Sequence, residues 1–580
     1  MTAPATIAAL RRHCEERIDA RTGEKYLAVF RRGAALKDDP LLNKGTCFSL
    51  EERDQLGLGG ITPPAISSAR EQEERAYNNF RKAGDDVSQY LFLAALQDRN
   101  ETLFYRLILD HLEEMIPIIY TPTVGKVCER YSHIYRRPRG VYVSTQDRGH
   151  IAKILRNVDR EDVRVIVATD NEAILGLGDQ GVGGMGISIG KVSLYTAGAG
   201  IHPAHGLPLD IDVGTDNRAL LEDPLYLGVR HPRLRGDEYL SLLDELVDAL
   251  AAVFPHALVQ WEDFANEQAF QVLRRYRARL ASFDDDIQGT GAVVEAGVRT
   301  ALARIGQRLG EQRIVFYGAG ASGAGCALQL RTALRADGVS DAEINARVLC
   351  LDSKGLILAD RPGLSGHKAD IAADPRVASG WIASPGGRFT LADVVSNFKP
   401  TILVGVSGQP GAFTEPIVKT MLRGCARPII LTLSNPTAKV EATPADVLQW
   451  THGAAIVGTG SPFAPVDLGG VTHHIGQCNN ALVFPGVGLG ATIVHARWLP
   501  DEVFSAAAKA VHGCTSVTTA PGASIFPALS RLREVSRTVA IAVARSLVTA
   551  GAALPVAHDE IERRVDAEVW EPTYLPYRAG

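Results

Sequence analysis

The chain has 580 residues, of which 46% are hydrophobic and 22% are charged, and its formal net charge is −5. This length exceeds what one hydrophobic core supports and predicts about three domains. Because basic residues are not in excess and no apolar run reaches about 20 residues, we expect no nucleic-acid partner and no membrane span. The first residues, MTAPATIAALRRHCEERIDA, soon become charged and lack a signal-peptide core, which favours a cytoplasmic protein.

The first 135 residues or so are predicted to be mainly helical. From 85 to 120 the sequence DDVSQYLFLAALQDRNETLFYRLILDHLEEMIPIIY places apolar residues three and four apart, with charges between them. We expect this helical stretch to end at Thr121-Pro122, because a residue before proline is disfavoured in a helix.

From about residue 138 the pattern changes to short, β-branched, apolar runs that are typical of buried strands. Strands are predicted at GVYVST, VRVIVATD, AILGLGD, PLDIDVGTDN and ALVQWEDF. Helices are predicted at RGHIAKILRN, VGGMGISIGKVSLYTAGAG and DEYLSLLDELVDALAAVFP. This alternation indicates a central α/β domain.

A second α/β unit begins near residue 285, with strands predicted at RIVFYG, RVLCLD, TILVGVS, IILTLS and AAIVGTG. Alternating strands and helices imply a parallel sheet with helices on both faces. The segment ADGVSDAEINA is interpreted as an extra surface loop, and the end, VDAEVWEPTYLPYRAG, as irregular. The predicted domains are a helical N-terminal domain (1–137), a central α/β domain (138–284 and 480–550), an inserted Rossmann-type, doubly wound parallel-sheet domain (285–479) and a C-terminal tail (551–580).

The segment RIVFYGAGASGAGCALQL (313–330) has the order strand, glycine turn, helix, with Gly318, Gly320 and Gly323 in the spacing GxGxxG. Such a turn lets the backbone and a helix N-terminus approach a pyrophosphate. Asp352, at the end of the next predicted strand, is placed to accept hydrogen bonds from an adenosine ribose. A glycine turn that only packs is the alternative. Ser353 and Lys354 follow the acid and can meet a 2′-phosphate, so NAD and NADP both stay open.

Two groups of acids, about twenty residues apart, are candidates for a metal site. Glu262 and Asp263 end a predicted strand in WEDF, and Asp284, Asp285 and Asp286 stand together in SFDDDIQGTG. Carboxylate oxygens suit Mg²⁺ or Mn²⁺. Each group has an equally good alternative as a cap at a helix N-terminus.

Several blocks together carry a resemblance to a known family. They are YTPTVG, AILGLGDQGVGGMGISIGKVSLYTAGAG, DVGTDN, QWEDF, FDDDIQGTG, GAGASGAG, LSNPTAKVEATP, GTGSPF and GQCNNALVFPG. In this order, from near residue 43 to the C-terminus, the chain resembles the malic enzymes, in their large form. The resemblance implies oxidative decarboxylation of L-malate to pyruvate and CO₂ with NAD or NADP and Mg²⁺ or Mn²⁺, decarboxylation of oxaloacetate, and a homodimer or homotetramer.

The resemblance also implies roles for individual residues. The implied metal ligands are Glu262, Asp263 and Asp286; the implied catalytic residues are Lys191 as general base, Tyr120 as general acid and Asp285 beside the substrate; Asn435 would contact cofactor or substrate and Asn480 substrate. An apolar setting such as GISIGKVSLY lowers the pKa of a lysine and suits it to be a base. Alternatives are a lysine that extends to solvent and an ordinary half-buried tyrosine. Asp284 has no implied role beyond capping.

One position departs from the family pattern. Many malic enzymes have an arginine that binds a malate carboxylate where this chain has Ala173, and a methyl group cannot make such a pair. Malolactic enzymes, which convert malate to lactate with bound NAD and Mn²⁺ and no net redox change, also tend to have a small residue here. Malolactic activity is therefore the second hypothesis. A decarboxylase acting chiefly on oxaloacetate and a non-catalytic binding protein are further alternatives.

Overall fold

The computed structural model describes residues 12–158, 160, 162–364, 366–384, 387–515 and 520–580. The chain forms two compact units, the first made of Met1–Gln260 with Asp559–Gly580 and the second of Trp261–His558. The finer domain boundaries at 137, 284, 479 and 550 stay predictions. Among the described residues, no helix is long and apolar enough to cross a membrane.

The first unit begins with a largely helical region and continues into an α/β region. Its strands up to residue 261 are β1 (Cys14–Ile18), β2 (Lys25–Val29), β3 (Val141–Ser144), β4 (Val165–Thr169), β5 (Gly206–Asp212) and β6 (Leu258–Trp261). Its helices over the same range are α1 (Gly33–Lys37), α2 (Leu50–Gln55), α3 (Ala69–Arg81), α4 (Asp86–Gln97), α5 (Glu101–Asp110), α6 (Leu112–Ile119), α7 (Thr123–Ile134), α8 (Ile151–Arg156), α9 (Met185–Ala199), α10 (Arg218–Glu222) and α11 (Gly236–Val253).

The predicted helical stretch from 85 to 120 is helical, but it consists of α4, α5 and α6 rather than one continuous helix. The side chain of Asn100 accepts a hydrogen bond from the N–H of Leu103 and so starts α5 as a new helix. Helix α6 ends at Ile119, just before Thr121-Pro122, as predicted.

The strands of the central region stand in the order β3-β5-β4-β6. Strands β3 and β4 both pair in parallel with β5, and α9 packs against β4 and β5. The predicted strand AILGLGD is wrong, because this segment is a tight turn closed by a bridge between Ile174 and Gly178. Asn171, Leu175 and Gly178 all have positive φ, which no strand accommodates.

The second unit contains a doubly wound sheet. The strands of this unit are β7 (Ser282–Asp284), β8 (Ile314–Tyr317), β9 (Val348–Asp352), β10 (Gly355–Leu356), β11 (Ile402–Gly405), β12 (Ile429–Thr432), β13 (Ile456–Thr459), β14 (Val466–Leu468), β15 (Val471–His473) and β16 (Gly476–Gln477). Its helices are α12 (Asn266–Tyr276), α13 (Thr290–Ile305), α14 (Ala321–Ala336), α15 (Asp341–Arg347), α16 (His367–Asp370), α17 (Leu391–Phe398), α18 (Glu415–Gly424), α19 (Pro444–Trp450), α20 (Phe484–Ile493), α21 (Glu502–Cys514) and α22 (Leu532–Thr549). The chain then forms α23 (His558–Glu568) and β17 (Tyr577–Ala579).

Seven strands of the second unit form one sheet in the order β10-β9-β8-β11-β12-β13-β16. All neighbouring pairs from β9 to β16 are parallel, and only β10 is antiparallel. The chain runs outward from β8 in both directions, to β9 on one side and to β11 on the other. This is the switch point at which open α/β sheets bind ligands, beyond the carboxyl ends of the strands. The predicted Rossmann-type architecture is confirmed.

One further prediction is wrong and another is wrong in part. The segment ADGVSDAEINA is not a loop, since most of it forms α15, which begins with a capping box between Ser340 and Glu343. The C-terminal segment VDAEVWEPTYLPYRAG is irregular only from 569 to 576, because α23 extends to Glu568 and β17 adds to β2 in parallel. A strand that pairs with a partner more than 500 residues away leaves no local periodicity by which to find it.

Candidate active site

The glycine turn after β8 is closed tightly enough that two of its glycines cannot carry a side chain. Gly318 has φ +115°, and a Cβ there would lie 2.4 Å from the carbonyl oxygen of Val406. A Cβ on Gly323 would lie 2.1 Å from the carbonyl oxygen of Gly318. The backbone is therefore exposed to a ligand at the N-terminus of α14, as a pyrophosphate requires. Gly320 lies in the same turn, before the first residue of α14.

The carboxylate of Asp352, at the end of β9, is held by two cations. Arg361 donates to both of its oxygens, at 2.9 and 2.8 Å, and Lys368 donates to Oδ2 at 2.8 Å. Burial alone would raise the pKa of Asp352, but the hydrogen bonds from Arg361 and Lys368 outweigh it and lower the pKa to about 2. The acid is thus ionised and partly neutralised, while Ser353 and Lys354 are exposed beside it.

Glu262, Asp263 and Asp286 come together in the second unit. One ligand atom from each lies within 4.8 Å of the others, and Glu262 and Asp263 are buried. The N–H of Asp263 donates to Oδ2 of Asp286 at 2.7 Å, and Asp263 has φ +55°. A non-glycine residue rarely adopts this backbone conformation, so the surrounding structure holds Asp263 in place.

The donor set fits a divalent cation. Three buried or half-buried carboxylates this close repel one another unless a positive charge lies between them. Oxygen-only ligands suit Mg²⁺ or Mn²⁺. In the part of the chain that the structure describes, no second group of three such ligands is as compact.

The three consecutive aspartates separate into different contacts. Asp284 precedes a single π-helical turn, Asp285–Gly289, and its Oδ1 accepts from the N–H of Ile287 at 3.0 Å. Asp284 is therefore the cap of this turn. Burial, and then the neighbouring carboxylate of Asp286, raise the pKa of Asp284 well above its usual value. π-Turns of this kind are frequent at functional sites.

Asp285 and Asn480, predicted as neighbours of the substrate, lie together. The amide of Asn480 donates to Oδ2 of Asp285 at 3.0 Å and to Oγ1 of Thr290 at 2.9 Å. Asp285 is fully buried. Asn435, by contrast, lies after β12, where its Oδ1 accepts from Oγ of Ser461 at 2.5 Å.

Lys191 and Tyr120 lie together in the first unit. Lys191 is in the middle of α9 and 1% exposed, so it does not extend to solvent. Its Nζ is 5.3 Å from the centroid of the Tyr120 ring. Gly190 makes this approach possible, since a Cβ there would lie 2.9 Å from the carbonyl oxygen of Ile119 at the end of α6.

The turn that carries Ala173 is held by an arginine that no sequence motif indicated. Arg233 is buried, donates to the carbonyl oxygen of Asp170, and pairs with the carboxylates of Asp170 and Asp179 at 3.3 Å each. It also lies 3.6 Å from Glu172. Burial opposes the charge of Arg233, yet these acids raise its pKa. Arg233 therefore fixes both ends of the turn.

Replacing Arg233 by alanine is expected to destabilise the protein by about 3–5 kcal/mol, because it leaves buried carboxylates without their partner. Urea unfolding followed by circular dichroism measures this loss. Arg218→Ala is the matched control, since the Arg218–Glu222 pair is an exposed ion pair and should contribute little. Equal stability of the two variants would contradict the role given to Arg233.

These features are together typical of a dehydrogenase that uses a dinucleotide: a doubly wound sheet, a glycine turn and a carboxylate triad. Residues 97–277 match the family model for the malic enzyme N-terminal domain, and residues 287–548 match the model for the malic enzyme NAD binding domain. The two matches cover more than half of the chain.

The chain is 46% identical over 560 residues to the NAD-dependent malic enzyme of Acinetobacter baylyi, covering 97% of this chain and 99% of that one. It is 46% identical over 555 residues to the NAD-dependent malic enzyme of Sodalis glossinidius, covering 96% and 98%. Its fold is similar to the crystal structure of Entamoeba histolytica malic enzyme, with a TM-score of 0.56 and 21% identity over 90% of this chain and 92% of that one. The chain belongs to the malic enzyme family.

Proposed function

We propose that the protein catalyses the oxidative decarboxylation of L-malate to pyruvate and CO₂, with NAD as the hydride acceptor and Mg²⁺ or Mn²⁺ as cofactor. The observation that carries the proposal is the 46% identity, over nearly the whole chain, with proteins named NAD-dependent malic enzyme. The glycine turn and the compact carboxylate triad fit the two cofactors that this reaction needs.

The proposed roles of the residues follow from their surroundings. Lys191, which is buried, is the residue that accepts the proton of the malate C2 hydroxyl. Tyr120, next to it, donates the proton that C3 receives after CO₂ has left. Asp285, oriented by Asn480, lies beside the substrate, and Asn435 binds the cofactor or a substrate carboxylate.

The cofactors supply the remaining chemistry. The turn of Gly318, Gly320 and Gly323 would hold the pyrophosphate of NAD, which would supply the acceptor for the hydride of C2. Glu262, Asp263 and Asp286 would hold the divalent ion, which would supply a Lewis acid for the C2 oxygen. Malate and oxidised NAD thus give pyruvate, CO₂ and reduced NAD with no net release of a proton, because the proton that Lys191 takes from the hydroxyl replaces the one that Tyr120 gives to C3.

The decisive experiment incubates the purified protein with L-malate, Mn²⁺ and either NAD or NADP. Absorbance at 340 nm is followed while pyruvate and lactate are determined in the same samples. We expect pyruvate and reduced NAD in equal amounts, and loss of turnover in EDTA that added Mn²⁺ restores. Lactate without reduced cofactor would instead show malolactic activity. Oxaloacetate is a further substrate to offer, since its decarboxylation uses the same ion and acid.

Asp352→Ala is expected to shift cofactor preference from NAD toward NADP. The change removes an acceptor for the ribose and leaves Arg361 and Lys368 free to pair with a 2′-phosphate. We expect the ratio of kcat/KM for NAD to that for NADP to fall by about tenfold or more, as for the loss of a hydrogen bond to a charged group. Initial rates with each cofactor at saturating malate give this ratio.

Asp360→Asn is the matched control for this variant, because Asp360 is an exposed acid in the same segment. It removes one negative charge without touching the contacts of Asp352. An equal shift in both variants would mean that only the overall charge of the segment matters, and would contradict the role given to Asp352.

Assembly and location are also part of the proposal. A homodimer or homotetramer in the cytoplasm is what the family resemblance favours. Light scattering on the purified protein measures the number of subunits, and cell fractionation tests the location.

A further inference from the structure

Glu441 is a buried acid whose contacts join two loops of the nucleotide-binding sheet. Its side chain is 0% exposed. One oxygen, Oε1, accepts from the N–H of Ser407 at 2.7 Å, from Oγ of Ser407 at 2.8 Å and from Oγ of Ser434 at 2.6 Å. Oγ of Ser434 in turn accepts from the N–H of Gly408 at 2.8 Å. The carboxylate thus ties the segment after β11 to the segment after β12.

These two segments lie where a dinucleotide would bind. Strand β11 pairs directly with β8 at the switch point of the sheet. The glycine turn after β8 packs on the segment after β11, since a Cβ on Gly318 would lie 2.4 Å from the carbonyl oxygen of Val406 and 2.9 Å from Cα of Ser407. Asn435, given to cofactor or substrate above, follows Ser434 directly.

The sheet leaves room for this acid. Gly405 is the last residue of β11, and a Cβ there would lie 2.6–2.8 Å from the end of the Glu441 side chain. Any larger residue at 405 would therefore displace the carboxylate from both serines. Two observations therefore concern the same buried side chain of Glu441: Gly405 leaves space for it, and the two serines hydrogen-bond to it.

We propose that Glu441 is a positioning residue for the dinucleotide cofactor. It does not touch the cofactor. Through Ser407 and Ser434 it fixes the backbone after β11 and β12 against the turn of Gly318, so that the cofactor meets both segments in one geometry. Three donors reach the same oxygen of Glu441 at 2.6–2.8 Å, which suits this side chain to the task. The inference rests on the proposed use of NAD.

The test is the equilibrium affinity of the full chain for NAD, measured by isothermal titration calorimetry without malate. Glu441→Ala is expected to raise the Kd for NAD by about tenfold or more, as for the loss of three buried hydrogen bonds. Ser434→Ala, which removes one of them, is expected to raise it less. Glu441→Gln keeps the shape and one acceptor oxygen and is expected to restore most of the affinity. Mn²⁺ affinity, measured in the same way, should stay at the wild-type value in all three variants.

Glu415→Ala is the matched control, because Glu415 is an exposed acid at the start of α18 in the same unit. The inference is wrong if Glu441→Ala binds NAD like the wild type, or if it weakens Mn²⁺ binding equally and so acts only through general loss of structure. If Glu441→Ala does not fold, Ser434→Ala and Gly405→Ala decide, and unchanged NAD affinity in both overturns the inference. A wild-type chain that binds no NAD would overturn the proposed function instead, which keeps the two failures apart.

Discussion

Lys191→Ala is expected to lower kcat for malate oxidation by about a thousandfold, within the range that a general base contributes. Lys191 is 1% exposed and its Nζ lies 5.3 Å from the ring centre of Tyr120, so bulk water does not readily replace it. The Kd for NAD should be unchanged, because the role proposed for Lys191 is proton transfer and not binding of the dinucleotide. Steady-state kcat at saturating malate, Mn²⁺ and NAD, together with calorimetry of NAD binding, measures both quantities.

Two further variants separate the role of a base from that of a positive charge. Lys191→Arg supplies a permanent positive charge but cannot release its proton near neutral pH, so it should be as inactive as the alanine variant. Lys126→Ala, which removes an exposed lysine paired with Asp86 in the same unit, should retain wild-type kcat. Activity of Lys191→Arg close to the wild type would show that only the charge is needed.

Oxaloacetate gives an independent check on the same residue. This substrate has no hydroxyl proton to lose, so its decarboxylation bypasses the step given to Lys191. We expect Lys191→Ala to lose much less oxaloacetate decarboxylation than malate oxidation, whereas Tyr120→Phe should impair both through protonation at C3. Equal losses in both reactions for Lys191→Ala would mean that Lys191 acts in protonation or in binding rather than as the first base.

The parts of the fold that the sequence predicted well are those with a local cause. Runs such as RIVFYG and IILTLS became β8 and β12, because strands of a parallel sheet are buried on both faces and are apolar along their whole length. AILGLGD has the same apolar character, but the positive φ of Leu175 and Gly178 bends it into a turn. Its two glycines were the feature of the sequence that indicated a turn rather than a strand. The helix α15 also had a signal, the spacing of Ser340 and Glu343.

The residues of the candidate site also divide into those that belong to a local sequence pattern and those that do not. Gly318 and Asp286 could be proposed because they belong to local patterns, a glycine spacing and a run of acids. Arg233, Arg361 and Glu441 could not, since each acts through partners that only the folded chain brings near. Arg233 and Arg361 lie in none of the quoted blocks, and Glu441 lies in LSNPTAKVEATP but has no role implied there. A buried ion pair is visible only as burial together with a partner. The sequence also does not decide whether each aspartate caps a helix or binds a metal, because this depends on which atoms lie within a few ångströms of its carboxylate.

Asp286→Asn is the second prediction with a large expected effect, and it concerns the cation. The substitution keeps the volume but replaces one of the three close carboxylates by a neutral amide. Removing a direct ligand should weaken Mn²⁺ binding beyond the roughly 10–100-fold that outer partners of a metal site typically contribute. Calorimetry of Mn²⁺ binding without malate or NAD gives the affinity, and the Mn²⁺ concentration for half-maximal activity gives an independent measure.

Asp284→Asn is the comparison that separates a ligand from a cap. Asp284 accepts from the N–H of Ile287, and asparagine caps as well as aspartate does, so this variant should keep most of its Mn²⁺ affinity. Both substitutions remove one negative charge from the same short segment, so a purely electrostatic effect would weaken Mn²⁺ equally in the two. A large loss confined to Asp286→Asn requires direct coordination. Equal Mn²⁺ dependence in Asp286→Asn and the wild type would leave Asp286 only its hydrogen bond from the N–H of Asp263.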